Sequence, residues 1–436
     1  MIEIKKKHSE KAISVGSYGN DEDMEPDDLL DELDSLITAA GGKAVGRSVQ
    51  RRMGAGDKGV VPATYIGLGK ANQIGDLAEA LEADVIVFDN ELSPAQVREL
   101  EKIIKRRVID RSELILDIFA SRAKTKEARL QVELAQLQYT APRLRGMWTH
   151  LERQGGAGGT GGMGTRGPGE KQIEIDRRIV SDRLVKLRRE LAGIHGRKQR
   201  EVNARTNKHF CVGLVGYTNA GKSTLMNHTT NAGTYQADKL FATLDTKTRK
   251  WDVGQGVSVM LSDTVGFVRN LPHQLVASFR ATLEEALTAD LLLHVVDAAH
   301  PQALEQIETV QEVLRELNVE QYRVLAVLNK QDLVEDEDSI LEMRARLPDV
   351  VSISAHTGVG MDDLANGVLR KFREYCAEID VKAPLASGKM QAYARQHGLI
   401  ESENYDESSW QAKVYLPKHF LGEFKTTCQN AELNVF

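Results

Sequence analysis

The sequence predicts a multidomain α/β protein. Its central domain has a mostly parallel sheet with flanking helices, and ahead of it come a small α/β domain and a helical hairpin arm. Three observations predict this. Apolar, strand-like runs at 209–215, 257–261, 291–297, 323–328 and 350–353 are separated by longer polar or helical stretches. The segment Gly216-Tyr217-Thr218-Asn219-Ala220-Gly221-Lys222-Ser223 joins the first run to a helix start. Two leucine seams flank a stretch at 155–169 that contains nine glycines.

At 436 residues the chain exceeds what one core organises and suggests about three compact domains. The composition divides it further: an acidic N-terminal segment at 1–37, an α/β domain at 38–125, a hairpin at 126–205, a phosphate-loop domain at 206–376 and a small α+β domain at 377–436. The chain contains no apolar run of 18 residues, and its first residues are charged, so neither a spanning segment nor a secretory leader is expected. Cys211, Cys376 and Cys428 lack metal or disulfide spacing, which suits reducing cytoplasm.

From the N-terminus, 71–81 reads as helix, 84–89 (Asp-Val-Ile-Val-Phe-Asp) as a buried strand and 94–105 as helix, with 108–109 and 114–119 continuing the alternation. Gly67-Leu68-Gly69 lacks the rest of a dinucleotide fingerprint and reads as a turn. Leu130, Leu134, Leu137, Ala141, Leu144, Trp148 and Leu151 repeat at alternating spacings, as do Val180, Leu184, Leu187, Leu191 and Ile194. Such seams bury against each other, which makes a hairpin with the glycine stretch at its tip and a kink or break at Pro142. Residues 171–208 hold twelve Lys and Arg against five acids on a chain of net charge −6. A basic arm on an acidic protein is a means of addressing nucleic-acid phosphates, with Arg166, Arg177, Arg178, Arg188 and Arg189 as candidate RNA contacts.

In the phosphate loop, Gly216 and Gly221 let backbone N–H groups curl around a β-phosphate, Lys222 reaches the β- and γ-phosphates, and the Ser223 hydroxyl ligates Mg²⁺. Asp263 ends the 257–261 strand, where it holds Mg²⁺ through water, and Thr264-Val265-Gly266 follows, with the Gly266 N–H offered to a γ-phosphate. Asn329-Lys330-Gln331-Asp332 leaves the next-but-one strand. The Asp332 carboxylate there accepts from the N1–H and N2–H₂ groups of guanine, an edge that adenine lacks. Ser354-Ala355-His356 follows the last strand, its backbone within reach of the guanine O6. By spacing, Thr243, Thr246 and Thr248 are equivalent candidates for a switch ligand to Mg²⁺. Phe267 stands where many small GTPases have a water-orienting Gln, so hydrolysis is expected to be slow until a partner supplies that function.

With Gly167-Pro168-Gly169-Glu170, Ile175-Asp176-Arg177-Arg178, the phosphate loop and Phe241-Ala242-Thr243-Leu244-Asp245, the chain resembles the HflX family of ribosome-associated GTPases. The likeness runs from about Tyr65 to Cys376 and includes Leu114-Ile115-Leu116-Asp117-Ile118-Phe119 and Gln131-Val132-Glu133-Leu134-Ala135-Gln136-Leu137. The resemblance implies a GTP- and GDP-binding hydrolase that binds the large ribosomal subunit and ribosomal RNA, not DNA, and that splits stalled or idle ribosomes. It also implies Thr243 as the Mg²⁺ ligand and includes residues 241–245 in the nucleotide site. Asn219 matches the Asn of potassium-stimulated GTPases, which adds K⁺ as a candidate cofactor beside Mg²⁺. The alternatives are a GTPase of ribosome assembly or RNA modification, and a GTP-binding scaffold with little turnover.

Overall fold

In the computed structural model, the N-terminal sheet begins earlier than composition suggests. The structure describes residues 9–19, 30–52, 59–155, 168–206, 209–230, 247–264, 266–269, 288–317, 319–320, 323–427 and 432–435. The expected switch residues Phe241, Ala242, Thr243, Leu244 and Asp245, together with Thr246, Val265, Arg166, Cys428 and most of the glycine tip, lie outside them.

The first sheet is parallel, in the order β2-β1-β3-β4, from β1 (Lys11–Tyr18), β2 (Lys43–Arg51), β3 (Val85–Phe88) and β4 (Arg107–Asp110). Helices α1 (Asp31–Ala40), α2 (Leu68–Ala80), α3 (Pro94–Ile104) and α4 (Arg111–Arg122) alternate with the strands. This corrects the reading of 1–37 as a segment ahead of the domain, because β1 lies inside the sheet and α1 packs Leu33, Leu36 and Ile37 into the core. The run was hidden because β1 buries polar Ser14 and Ser17 among small residues instead of alternating cleanly. Gly67 caps α2, and Gly69 belongs to its first turn.

The arm consists of α5 (Lys126–Gly155) and α6 (Pro168–Thr206), with α5 running through Pro142 without a break. Where side chains are described, Leu130, Leu134, Leu187 and Leu191 of the seams are buried and Leu137, Ala141, Val180, Leu184 and Ile194 half-buried, and Arg183 bonds both carboxylate oxygens of Glu133 at 2.7 and 2.8 Å. Tyr139 of α5 donates to the buried Asp110 at 2.6 Å, which ties the arm to the end of β4, and the arm and the first sheet fall in one compact unit that reaches Gly193. Among the described residues no helix is long and apolar enough to cross a membrane.

The second unit contains a six-stranded sheet in the order β10-β9-β8-β5-β7-β6: β5 (Cys211–Gly216), β6 (Lys247–Gly254), β7 (Val257–Asp263), β8 (Leu291–Asp297), β9 (Val324–Asn329) and β10 (Val350–Ser352). All neighbours are parallel except β6, which returns antiparallel to β7. Helices α7 (Lys222–Thr229), α8 (Ala303–Glu316), α9 (Glu337–Arg346) and α10 (Met361–Tyr375) accompany it. Helix α10 passes directly into β11 (Cys376–Pro384), with no linker between the two. That strand joins β12 (Leu399–Tyr405), β13 (Ser409–Pro417) and β14 (Glu432–Val435) in an antiparallel sheet, with α11 (Gly388–His397) and α12 (Leu421–Thr427). Phe210 meets Phe372 and Tyr375 edge-on, with centroids 5.1 and 5.3 Å apart, which anchors α10 beside β5.

Candidate functional site

The site lies at the carboxyl ends of the parallel strands, where open α/β sheets bind ligands. Gly216 ends β5 at φ 148°, and a Cβ there would stand 2.2 Å from the Val295 carbonyl oxygen of the adjacent strand. Only glycine lets the loop leave so close to β8. Asn219 and Gly221 adopt left-handed conformations at φ 64° and 93°, turning the loop into α7 so that its first N–H groups face the loop's cavity. Lys222 is buried, and its ammonium donates to the carbonyls of Gly216 at 3.0 Å and Tyr217 at 2.7 Å. Burial pushes its pKa down to about 8, with the Asp263 carboxylate acting in the opposite direction.

Ser223 donates its hydroxyl to Asp263 Oδ2 at 2.6 Å, which brings a helix-start hydroxyl and a strand-end carboxylate together. Two hard oxygen donors at the mouth of a phosphate loop fit a hard divalent cation that keeps most of its waters. Thr264 is buried and donates its hydroxyl to Leu214 O at 2.6 Å, which ties the end of β7 to β5. Gly266 sits so near the lysine that a Cβ would stand 2.9 Å from Lys222 Nζ. Of the three switch threonines, Thr248 belongs to β6 and shares a 2.9 Å hydrogen bond with Ser262, so it is part of the sheet.

Phe267 is buried in an apolar cluster with Tyr217, Leu292, Val310 and Leu314, so the ring packs into the core under α8. Its backbone bridges to the phosphate loop: Phe267 N donates to Gly216 O at 3.0 Å, and Thr218 N donates to Phe267 O at 2.7 Å. The Tyr217 hydroxyl accepts from Arg269 N at 2.6 Å, a clamp the sequence does not signal.

On the base side Asn329 joins three motifs: its Nδ2 donates to Ala220 O at 2.8 Å and its Oδ1 accepts from Ala355 N at 2.9 Å. The Ala355 amide, expected to face a guanine O6, is thus engaged by Asn329 here. Lys330, at φ 62°, pairs with Asp297 Oδ2 at 2.6 Å. Asp297 went unnoticed in the sequence because it ends an apolar strand, although a carboxylate at that strand's end was the available signal. Asp332 stands exposed in the 3₁₀ turn Gln331–Leu333, and His356 is exposed beside Ser354 and Ala355. On α6, Arg178, Arg188 and Arg189 are exposed, whereas the Arg177 side chain lies outside the described residues.

Three family models match in tandem: GTP-binding GTPase N-terminal over 27–120, GTP-binding GTPase Middle Region over 122–205 and 50S ribosome-binding GTPase over 211–330. A GTPase HflX from Lacrimispora saccharolytica is 41% identical over 436 residues, covering 99% of this chain and 98% of its own. The chain belongs to the HflX family of GTPases. The GTPase HflX of Escherichia coli K12 is 43% identical over 401 residues, covering 91% of each chain. Among solved structures, SsGBP with GDP is 26% identical, covers 83% of this chain and 98% of its own, and has a TM-score of 0.46. As an HflX-family member the chain is a P-loop GTPase; its phosphate loop follows β5, Asp263 ends β7 and Asn329 ends β9.

Proposed function

We propose that this HflX-type GTPase binds the large ribosomal subunit in the cytoplasm, directs the basic arm at ribosomal RNA, and splits stalled or idle ribosomes. In this reading Ser223 and Thr243 ligate Mg²⁺ and Asp263 holds it through water. Lys222 and the Gly266 amide neutralise charge on the γ-phosphate, and K⁺ sits beside Asn219. The loop residues Gly216 to Ser223 cradle the phosphates. Asn329, Lys330, Asp332 and the Ser354-Ala355-His356 loop select guanine. Residues 241–245 and Thr264-Val265-Gly266 close on the nucleotide as the two switches.

One observation carries the requirement for a partner. Phe267 turns its ring into the core and uses its backbone to hold the phosphate loop, so this position supplies no group to orient a water. The water must be ordered from outside, and the exposed arginines of α6 suit docking on RNA phosphates. The family description, 50S ribosome-binding GTPase, supports the same partner.

The test is co-sedimentation of the purified protein with separated subunits, with and without a non-hydrolysable GTP analogue, together with phosphate release and light scattering of intact ribosomes. The reading expects analogue-dependent binding to the large subunit, stimulated release and a fall in scattering. Large-subunit binding without splitting favours an assembly or RNA-modification role, and absence of stimulated release favours a scaffold.

A further inference from the structure

Lys330 pairs with a carboxylate of another strand although one lies nearer along its own chain. Its ammonium is 2.6 Å from Asp297 Oδ2, at the end of β8. Asp332 stands two residues beyond the lysine in the 3₁₀ turn, no more than about 7 Å of chain away. It is exposed, and among the described residues it has no ion-pair partner. A flexible ammonium and a carboxylate at that spacing attract each other unless something holds them apart.

Asp297 is built to do so. It is the register partner of Asn329, and Ala298 N donates to Asn329 O at 2.9 Å, so its side chain starts beside the lysine's own strand. The carboxylate is fixed in turn, because Oδ1 accepts from Ala299 N at 3.2 Å and the side chain is only 11% exposed. Lys330 meets it from a backbone at φ 62°, a region that side-chain-bearing residues seldom enter. Gln331 N, donating to Ile353 O at 3.1 Å, and Leu333 N, donating to Lys330 O at 2.9 Å, keep the turn in that conformation. Strain maintained at the carboxyl end of a parallel strand belongs with ligand binding more than with packing.

We propose, on the reading of Asn329-Lys330-Gln331-Asp332 as the base site, that Asp297 is a positioning residue for guanine. It holds the Lys330 ammonium away from Asp332 and so leaves that carboxylate open to the N1–H and N2–H₂ groups of the base. Without the Asp297 charge, Lys330 pairs with Asp332, and a guanine nucleotide must first break that pair. An exposed lysine–carboxylate pair competes with the base by about three- to fivefold in affinity.

The test is titration of the full chain with GDP, each variant being checked by denaturant unfolding. Asp297→Asn keeps the shape and the acceptor for Ala299 N and gives up the charge; should it not fold, Asp297→Ser, which also accepts without charge, takes its place. The variant should bind GDP about three- to fivefold more weakly than wild type. That deficit should shrink as salt rises, because the competing pair is screened. In a Lys330→Met background no ammonium competes, and there Asp297→Asn should have no further effect on GDP. A chain merely loosened by the substitution would lose the same factor in both backgrounds. Undiminished GDP affinity in Asp297→Asn overturns the proposal, as does an equal loss in the Lys330→Met background. Asp332→Asn separates the two readings: if it leaves GDP affinity unchanged, the base-site reading has failed and the role of Asp297 with it. If it weakens GDP while Asp297→Asn does not, only the role of Asp297 has failed.

Discussion

The Asn329 side chain holds the phosphate loop directly: its Nδ2 donates to Ala220 O at 2.8 Å. A residue grouped by its motif with base recognition thereby supports the phosphate site, and its other atom reaches Ala355. Asn329→Ala leaves a buried carbonyl and a buried amide without partners. It should destabilise the fold by about 1–3 kcal/mol and weaken GDP and GTP together. Denaturant unfolding and nucleotide titration measure both; selective loss of one nucleotide, with stability intact, sinks the assignment.

Asp332→Asn should exchange base preference. The carboxylate accepts from the guanine N1–H and N2–H₂ groups, whereas an amide can donate to the O2 of xanthine. Affinity for GTP should fall and affinity for xanthosine triphosphate should rise. Unchanged GTP affinity would falsify the role of Asp332.

Phe267→Gln should not create an efficient hydrolase. The side chain at this position packs into the apolar cluster, so a Gln there buries an amide instead of orienting water. The variant should lose on the order of 3 kcal/mol of stability, and its single-turnover rate without ribosomes should be no higher than wild type. A faster unstimulated rate would mean that the ring leaves the core during catalysis.

His294 makes stability depend on acid. Its folded pKa of about 4 lies below the ordinary value of 6.5. Between these the unfolded chain binds more protons, so the contribution is complete above about 6.5 and is lost as pH falls toward 4. The loss should be on the order of 3 kcal/mol. His294→Leu should flatten the unfolding free energy across that window; an unchanged slope in the variant assigns the effect elsewhere.

Replacing Arg177, Arg178, Arg188 and Arg189 with Gln should weaken ribosome binding and reduce its salt dependence, because fewer counterions are then released. Nucleotide affinity should stay near wild type. Binding measured across a salt series decides it, and an unaltered slope removes α6 from the RNA interface.

The second unit was legible in the sequence because fully buried parallel strands read as apolar runs: β8 was found at its observed limits, and β5, β7 and β9 to within one or two residues. The phosphate loop, Asp263 and Asn329 all stand at strand ends, as their spacing required. Strand β6 was missed because it is an edge strand, with Lys247, Arg249, Lys250 and Asp252 carrying charge around the buried Trp251 and Val253. Polar content inside the core hid β1 in the same way. Contacts made by side chains far apart in sequence, such as Lys330 with Asp297 and Tyr217 with Arg269, have no local signature and emerge only when the sheet brings their strands together.

The backbone bridge between Tyr217 and Phe267 has a mechanical meaning. Strands β5 and β7 are in register at Leu214 and Asp263, and the next pairing joins Tyr217 to Phe267, three residues on along one strand and four along the other. Between those two pairings the second chain segment therefore uses one residue more than the first, about 3.3 Å of chain length. Gly266 lies in that longer segment, close beside the Lys222 ammonium and Thr218. Phe267 itself is fastened to the phosphate loop at both its N–H and its carbonyl, so the chain before it and the chain after it are held separately.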